Sequence, residues 1–384
     1  MTANRVDDLI VCGGGVIGLA IAWQGAQRGW KVRILEQRRV GSGASWAGAG
    51  ILPPGAARGV HDPIEQLRSF SDAMLEDWFG LLESETGIDV GFRRCGGLYL
   101  ARTNGEFATL IANEVWWADH GIEFQRWTPC ETLQRVPALQ SSTLSELKSA
   151  WFLPGERQIR NPRYLKALQL ACQKRGVEIQ EQESMRGITA GEGSIDVQTT
   201  VDRYVSKRVC ITAGAWTPLA IPELKMQTGI FPVRGQMVLF HCNDRPFIPI
   251  INEGHRYLVP RDDGYVLAGS CEEEAGFDEN TTSDMLEHLT QRARQLVPQL
   301  ESAAVQKSWS GLRPGSIDGL PYLGNLPNHP NVFIAAGHYR HGIHLSPITA
   351  ETMISLMSNE PTRIDLAPFR MTRGKTYANS SESG

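Results

Sequence analysis

The chain has 384 residues, of which 41% are hydrophobic and 21% charged, the balance of a globular protein large enough for more than one core. Its formal net charge of −4 offers no basic field to a nucleic-acid backbone or an acidic membrane surface, so neither is expected as a partner. No apolar run approaches the length of a bilayer span and no signal-peptide pattern precedes the first apolar segment, which leads to the expectation of a cytoplasmic protein.

The first 36 residues read as a strand over 9–12, a glycine turn, a helix, and a second strand ending in Glu36. Gly13, Gly15 and Gly18 stand in GxGxxG spacing. Gly13 suits the tight turn, Gly15 lets a pyrophosphate approach the backbone, and Gly18 lets helix and strand pack closely. The helix that follows offers unpaired N–H groups and the positive end of its dipole to phosphates. Glu36, eighteen residues beyond Gly18, is placed to accept hydrogen bonds from ribose hydroxyls. Strand, turn, helix and acid in register predict a dinucleotide site, without choosing between nicotinamide and flavin.

Residues 40–52, VGSGASWAGAGIL, are uncharged and small enough to lie flat against a cofactor. Apolar residues between 64 and 84 fall at helical spacing and predict a core-facing helix, and 162–175 carries a second helical pattern. Strands are predicted at 96–102 and 231–242, with a hairpin over 257–270 turning at Asp263-Gly264. Segments 177–179, 204–214 and 331–337 read as further strands of the first fold. From His341 a helix is predicted through ITAETMISLM, with Pro347 in its first turn and Ser346 as a candidate cap.

The expected fold class is α/β: a Rossmann-like dinucleotide-binding domain in three discontinuous segments, 1–84, 148–220 and 306–365, interleaved with an α+β antiparallel-sheet substrate domain of 85–147 and 221–305. A polar tail, 366–384, ends the chain, and no internal repeat is evident. Such interleaving favours flavin, because a nicotinamide dehydrogenase normally keeps its dinucleotide fold in one block. The seven cysteines are odd in number, scattered, and never in CxxC spacing, so they read as buried thiols. His338, His341 and His344 recur every three residues, but no cysteine or carboxylate joins them at ligand spacing, and no metal is expected.

WSGLRPGSIDGLPYLG (309–324) and AAGHYRHGIHLSP (335–347) concentrate glycine and arginine. Arginine matches a carboxylate bidentately, a charge-assisted pair worth about 1.5–3 kcal/mol, so these segments offer a place to hold one. Arg313 is the prime candidate. Strand alternation would put Tyr257, Val259 and Arg261 on one face of a sheet.

Together with the N-terminal motif, GASWAGAGIL and HRYLVPR, these segments make the chain resemble the FAD-dependent glycine oxidase and D-amino acid oxidase family, nearest the glycine oxidases of thiamine biosynthesis. The resemblance spans nearly the whole chain. It implies that Arg313 holds the substrate carboxylate, that Tyr257 assists it, that Arg340 lies near the entrance and flavin, and that His255 faces the active site. It implies non-covalent FAD held by Gly13, Gly15, Val16, Ile17, Gly18, Glu36, Gln37, Ser45, Ala47, Gly48, Gly50, Ile51, Leu52, Met185, Ala213, Gly214, Trp216, Gly337, His338, Arg340, His341, Gly342 and Ile343. Where the family commonly has asparagine, this chain has His341.

The implied activity is hydride transfer from a small amino acid to FAD, with molecular oxygen as acceptor, yielding a 2-oxo acid (glyoxylate from glycine), ammonia and hydrogen peroxide. The resemblance also implies a homo-oligomer. No obligatory side-chain base stands out. Sarcosine and small D-amino acids stay open as substrates, and a dehydrogenase or a non-catalytic flavin-binding protein as alternatives. Covalent flavin attachment through a late cysteine is disfavoured, since the last cysteine is Cys271. A tRNA-modifying oxidase is disfavoured by the acidic charge balance.

Overall fold

The computed structural model describes residues 6–139, 146–191, 193–220 and 228–373. A six-stranded sheet runs in the order Glu178–Glu181, Val32–Glu36, Leu9–Cys12, Val209–Ile211, His329–Ala336 and Tyr322–Leu326. All neighbours are parallel except the last pair. Buried on both faces, its central strands are continuous apolar runs rather than alternating ones. The Val16–Gln27 helix is buried almost all round, and at Gly25 a side chain would meet Trp30 and Val32 at 3.3 Å. It packs with the helices Pro63–Thr86, Asn161–Lys174 and Gly342–Met357 in one core.

Local signals account for the helix bounds. Asp62 caps Pro63–Thr86, accepting from the N–H groups of Ile64 (3.0 Å) and Glu65 (3.1 Å), and Gly87 closes it in the left-handed conformation. Leu67, Leu75, Trp78, Phe79 and Leu82 form its buried face. The helix Asn104–Asp119, which periodicity did not single out, is announced by a Thr103/Glu106 capping box.

An eight-stranded sheet follows the order Ala304–Ser316, Ile230–His241, Tyr265–Gly269, Arg256–Pro260, Ile250–Glu253, Gly97–Ala101, Ser149–Leu153 and Gln125–Trp127. It is antiparallel throughout except between Ile250–Glu253 and Gly97–Ala101. Two strands counted above with the dinucleotide-binding segments, Ser149–Leu153 and Ala304–Ser316, pair into this sheet. The helix Ser283–Leu296 covers a core on one of its faces. Two smaller sheets complete the fold: Val6–Asp7, Arg203–Ser206, Ile195–Thr199 and Met185–Ala190, and Ile51–Leu52, Arg157–Gln158 and Arg93–Arg94.

Three sequence expectations are revised. The segment 204–214 is two strands in two sheets, Arg203–Ser206 and Val209–Ile211, broken at Lys207-Arg208, where Lys207 pairs with Asp8 at 2.8 Å. Pro347 lies in the second turn of the Gly342–Met357 helix rather than its first. There it removes the N–H that would bond the Ile343 carbonyl, and the Ser346 hydroxyl donates to that carbonyl instead, at 2.8 Å, so Ser346 repairs a gap rather than capping the helix end. The polar tail starts later than 366: Phe369 and Met371 are buried and Arg373 pairs with Asp318 at 2.6 Å, while 374–384 lie outside the described residues.

Candidate functional site

One cavity of about 660 Å³ runs from the C-terminal ends of the parallel strands to the face of the eight-stranded sheet. Its first part is the glycine turn. Gly13 has a φ of +121° and a side chain there would lie 2.4 Å from the Thr212 carbonyl oxygen, so only glycine passes between the two strands. Thr212 donates its hydroxyl to the Gly13 carbonyl at 2.8 Å, pinning the turn. The N-terminus of the Val16–Gln27 helix opens on the cavity, with the Val16 N–H donating to Ser45 Oγ at 3.0 Å. The Glu36 carboxylate accepts from the N–H groups of Gly14 (2.7 Å) and Arg38 (2.8 Å) at the rim. Burial raises its pKa, against the pull of those two bonds.

The short helix Ala44–Ala47 and the turn after it form a second wall. At Gly48 a side chain would sit 2.8 Å from Asn161 Nδ2, and at Gly50 it would sit 2.1 Å from the Ile159 carbonyl oxygen. Asn161 Nδ2 donates to the carbonyls of Ser45 (2.9 Å) and Gly48 (3.0 Å), holding the wall, while its Oδ1 is buried and has no partner among the described residues. A third wall is the N-terminus of Gly342–Met357, whose first-turn N–H groups have no intrahelical acceptor. A dinucleotide fits this surface: the close approaches at Gly13, Gly48 and Gly50 leave a smooth lining, two helix N-termini face in, and an acid stands at the ribose position.

Of the residues expected at the cofactor, Gly13, Gly15, Val16, Ile17, Glu36, Gln37, Ser45, Ala47, Gly48, Gly50, Ile51, Met185, Ala213, Gly214, Trp216, Gly337, His338, Arg340, His341, Gly342 and Ile343 line the cavity. Gly18 and Leu52 do not. Gly18 is a packing glycine, where a side chain would stand 1.9 Å from the Gly13 carbonyl oxygen. Leu52 is fully buried in the helix-packed core.

The other end of the cavity is a row across the eight-stranded sheet. Tyr99 lies beside Asn252, Asn252 beside Tyr257, Tyr257 beside Gly269, and Gly269 beside Met237. At Gly269 a side chain would meet Met237 Sδ at 2.4 Å and the Tyr257 ring at 2.8 Å. Its absence lets the Tyr257 hydroxyl reach Met237 Sδ at 3.4 Å. Val259 and Arg261 share the Tyr257 face, as alternation predicts, but Arg261 is buried and donates to Gln158, Ile159 and Ala49. Burial lowers its pKa to about 9.

Arg313 projects from the edge strand across Gly235, where a side chain would lie 2.4 Å from both terminal nitrogens. Its guanidinium donates to the Cys271 carbonyl (2.9 Å) and to Ser270 Oγ (2.5 Å). Among the described residues it has no carboxylate within ion-pair distance, and it lines the cavity. Arg340 is exposed at the rim and pairs with Glu272 at 2.9 Å. His255 is exposed in the turn before Arg256–Pro260 and also borders the opening.

His338 Nε2 lies 3.1 Å from Thr349 Oγ1, and burial pushes its pKa down to about 3. His341 is likewise pushed down to about 3, chiefly by burial and then by the Arg68 charge. Both are neutral imidazoles at physiological pH. His344 stands 3.7 Å from Asp72, which is itself held by Arg157 at 2.6 Å.

Sequence reasoning passed over Tyr99, Asn252 and Glu156. Glu156 is fully buried behind the row: the Tyr99 hydroxyl donates to Oε2 at 2.5 Å and Asn252 Nδ2 to Oε1 at 3.3 Å. Burial pushes its pKa up to about 7. An acid in the turn LPGERQ carries no periodic signal, because strand register alone places it here. Asn161 was findable, as a small amide immediately before the proline of a helix start.

The chain matches the family model described as FAD dependent oxidoreductase over residues 8–356. It is 33% identical to a glycine oxidase of Geobacillus kaustophilus across 95% of this chain and 97% of that protein. A glycine oxidase of Pseudomonas putida is also 33% identical, across 94% and 97%. The crystal structure of the Geobacillus kaustophilus glycine oxidase superposes with a TM-score of 0.90, covering 97% of this chain and 99% of that one.

Proposed function

The chain belongs to the FAD dependent oxidoreductase family whose model it matches, and from that premise we propose that it oxidises glycine or another small amino acid to a 2-oxo acid, ammonia and hydrogen peroxide. The observation that carries this reading is Arg313: a guanidinium without a carboxylate partner among the described residues, laid over Gly235, facing the same cavity as the glycine turn.

FAD, when bound, supplies the acceptor for the hydride that leaves the substrate α-carbon. This chain's residues do the rest by positioning. Arg313 takes the substrate carboxylate bidentately, its orientation set by Ser270 and the Cys271 carbonyl. Tyr257 supplies a hydroxyl donor beside it, and Met237 gives the apolar surface that keeps water from the reacting carbon. Gly13, Gly15 and the Val16–Gln27 N-terminus hold the pyrophosphate, Glu36 a ribose, and Ala47 to Ile51 the flat ring system. The first-turn N–H groups at Gly342 and Ile343 would stabilise negative charge on a flavin ring held there. The imine product takes up one water to give the 2-oxo acid and ammonia, and molecular oxygen takes up the two electrons with two protons to give hydrogen peroxide.

In this division of labour the parallel sheet with its helices carries the cofactor and the eight-stranded sheet carries the amino acid. The reading extends to a cytoplasmic homo-oligomer, which fractionation and light scattering test. The deciding experiment is the absorbance spectrum of the purified flavoprotein without oxygen, before and after glycine. Bleaching of the flavin bands supports the reading, and readmitted air then separates an oxidase from a dehydrogenase. A yellow protein bleached only by sarcosine or D-alanine moves the substrate, and one bleached by no amine overturns amine oxidation.

A further inference from the structure

Between the strand Tyr265–Gly269 and the helix Ser283–Leu296 the chain makes an irregular loop, 271–282, tied to the eight-stranded sheet by a bridge between Glu273 and Arg234. Both ends of the loop are fastened to Gln236, a fully buried residue of the Ile230–His241 strand. The Gln236 N–H donates to Cys271 Sγ at 3.2 Å, and its side chain accepts from the Thr282 N–H at 2.8 Å and donates to the Glu273 carboxylate at 2.9 Å. Arg234, also buried on that strand, donates to Glu273 (3.1 Å), to Asp278 (2.6 Å) and to the Asn280 carbonyl (3.1 Å). A loop closed at its base in this way presents its tip as a unit.

The tip crosses from that sheet to the cofactor end of the cavity. Glu279 pairs with Arg38 at 2.6 Å, and the Arg38 guanidinium lies 4.7 Å over the Trp216 ring. Phe277 packs on the same ring with centroids 6.0 Å apart, although 43% of its surface stays exposed. The Ser310 hydroxyl donates to the Glu279 carbonyl and fixes the backbone of the tip. Arg38 and Trp216 line the cavity. Arg38 follows closely on Glu36, the acid at the ribose position, and Trp216 on the Ala213-Gly214 turn that lines the same end. A part-exposed ion pair and a part-exposed phenyl ring add little to folding, but together they fix the two large side chains that flank the adenosine end.

We propose that the loop 271–282 is a clasp for the dinucleotide: Glu279 and Phe277 hold Arg38 and Trp216 closed at the adenosine end, and FAD leaves when the tip lifts. The inference rests on the reading of this cavity as an FAD site. Glu279 and Phe277 are positioning residues that act through Arg38 and Trp216. The clasp sets the rate at which cofactor dissociates and takes no part in the chemistry.

The test is the rate at which the holoprotein loses FAD after dilution, measured as free flavin recovered by ultrafiltration, in wild type, E279Q, F277A and the double variant. Release is expected about 3-fold faster in each single variant and about 10-fold faster in the double one, the size of a part-exposed ion pair and an aromatic contact. In about 1 M salt the E279Q excess should vanish while the F277A excess stays, because only the pair is screened. R38Q/E279Q should release no faster than R38Q, since losing one partner already opens the pair. The Tm of the E279Q apoprotein is expected to equal that of wild type. A double variant that releases FAD at the wild-type rate overturns the clasp, as does an E279Q excess that persists in salt or an apoprotein Tm that falls in step with release. If F277A does not fold, E279Q and its salt dependence decide. Release is read with no amine present, so it stands apart from the amine-oxidising reading, and a wild-type chain that takes up no FAD overturns the cofactor reading instead.

Discussion

Arg313 is oriented as much by a missing side chain as by its partners. Gly235 leaves the shelf on which the guanidinium lies, so a methyl group there displaces the arginine without touching the cofactor walls. R313A is expected to stay folded and yellow while kcat/KM for the amino acid falls about 10- to 10²-fold, the worth of a charge-assisted pair. G235A should reproduce the defect mainly in KM, read by steady-state kinetics with flavin content as control. A second residue-scale effect concerns pH. His338 is buried and His341 half-buried, and both have pKa values pushed down to about 3, whereas the unfolded chain binds those protons at about 6.5. The unfolded state therefore holds more protons between these values. The stability that these two imidazoles contribute to the apoprotein is full above about 6.5 and is lost as pH falls toward 3. Urea unfolding of H338Q across that window should give a shallower pH dependence than wild type.

At the scale of elements, the Gly342–Met357 helix shows how a local rule is broken and repaired. Pro347 orphans the Ile343 carbonyl, Ser346 satisfies it, and Tyr164 meets the same hydroxyl at 2.8 Å after accepting from Trp78. S346A leaves a part-buried carbonyl and a buried tyrosine short of a partner, and is expected to cost about 1–3 kcal/mol in denaturant unfolding. Elements of this kind also mark how far the sequence could be read. The long apolar helices and strands stood out because burial writes a period into them. The break at Lys207-Arg208 did not, since Tyr204 and Val205 before it and Val209–Ile211 after it all favour strand, and a change of sheet leaves no period of its own. Within the site, the glycines and Arg313 were legible because their chemistry is local. Tyr99, Asn252 and Glu156 were not, because the register of Gly97–Ala101 with Ile250–Glu253 and the turn that follows Ser149–Leu153 bring them together from distant segments.

Across the whole molecule, the parallel sheet is assembled from distant segments: Ile10 pairs with Val209, and Val209 with Val332. Order in the cofactor end therefore depends on the entire chain, and a ligand spanning the cavity stabilises all of it. FAD at a hundred times its Kd should raise unfolding free energy by about 2.7 kcal/mol, visible as a rise in the Tm of the apoprotein on titration with FAD. An unchanged Tm at saturating FAD would show that the cavity does not bind it in the native state.

The sheet that carries the row has a consequence for how such a protein can diversify. Tyr99, Asn252, Tyr257 and Met237 alternate along their strands with Leu98, Ile251, Leu258 and Val238, which belong to the core on the opposite face. Recognition and folding are thus written at alternating positions of each strand. Exchanges in the first set can retune which amine is accepted while the second set goes on specifying the same architecture, so heritable change in substrate need not pass through unstable intermediates.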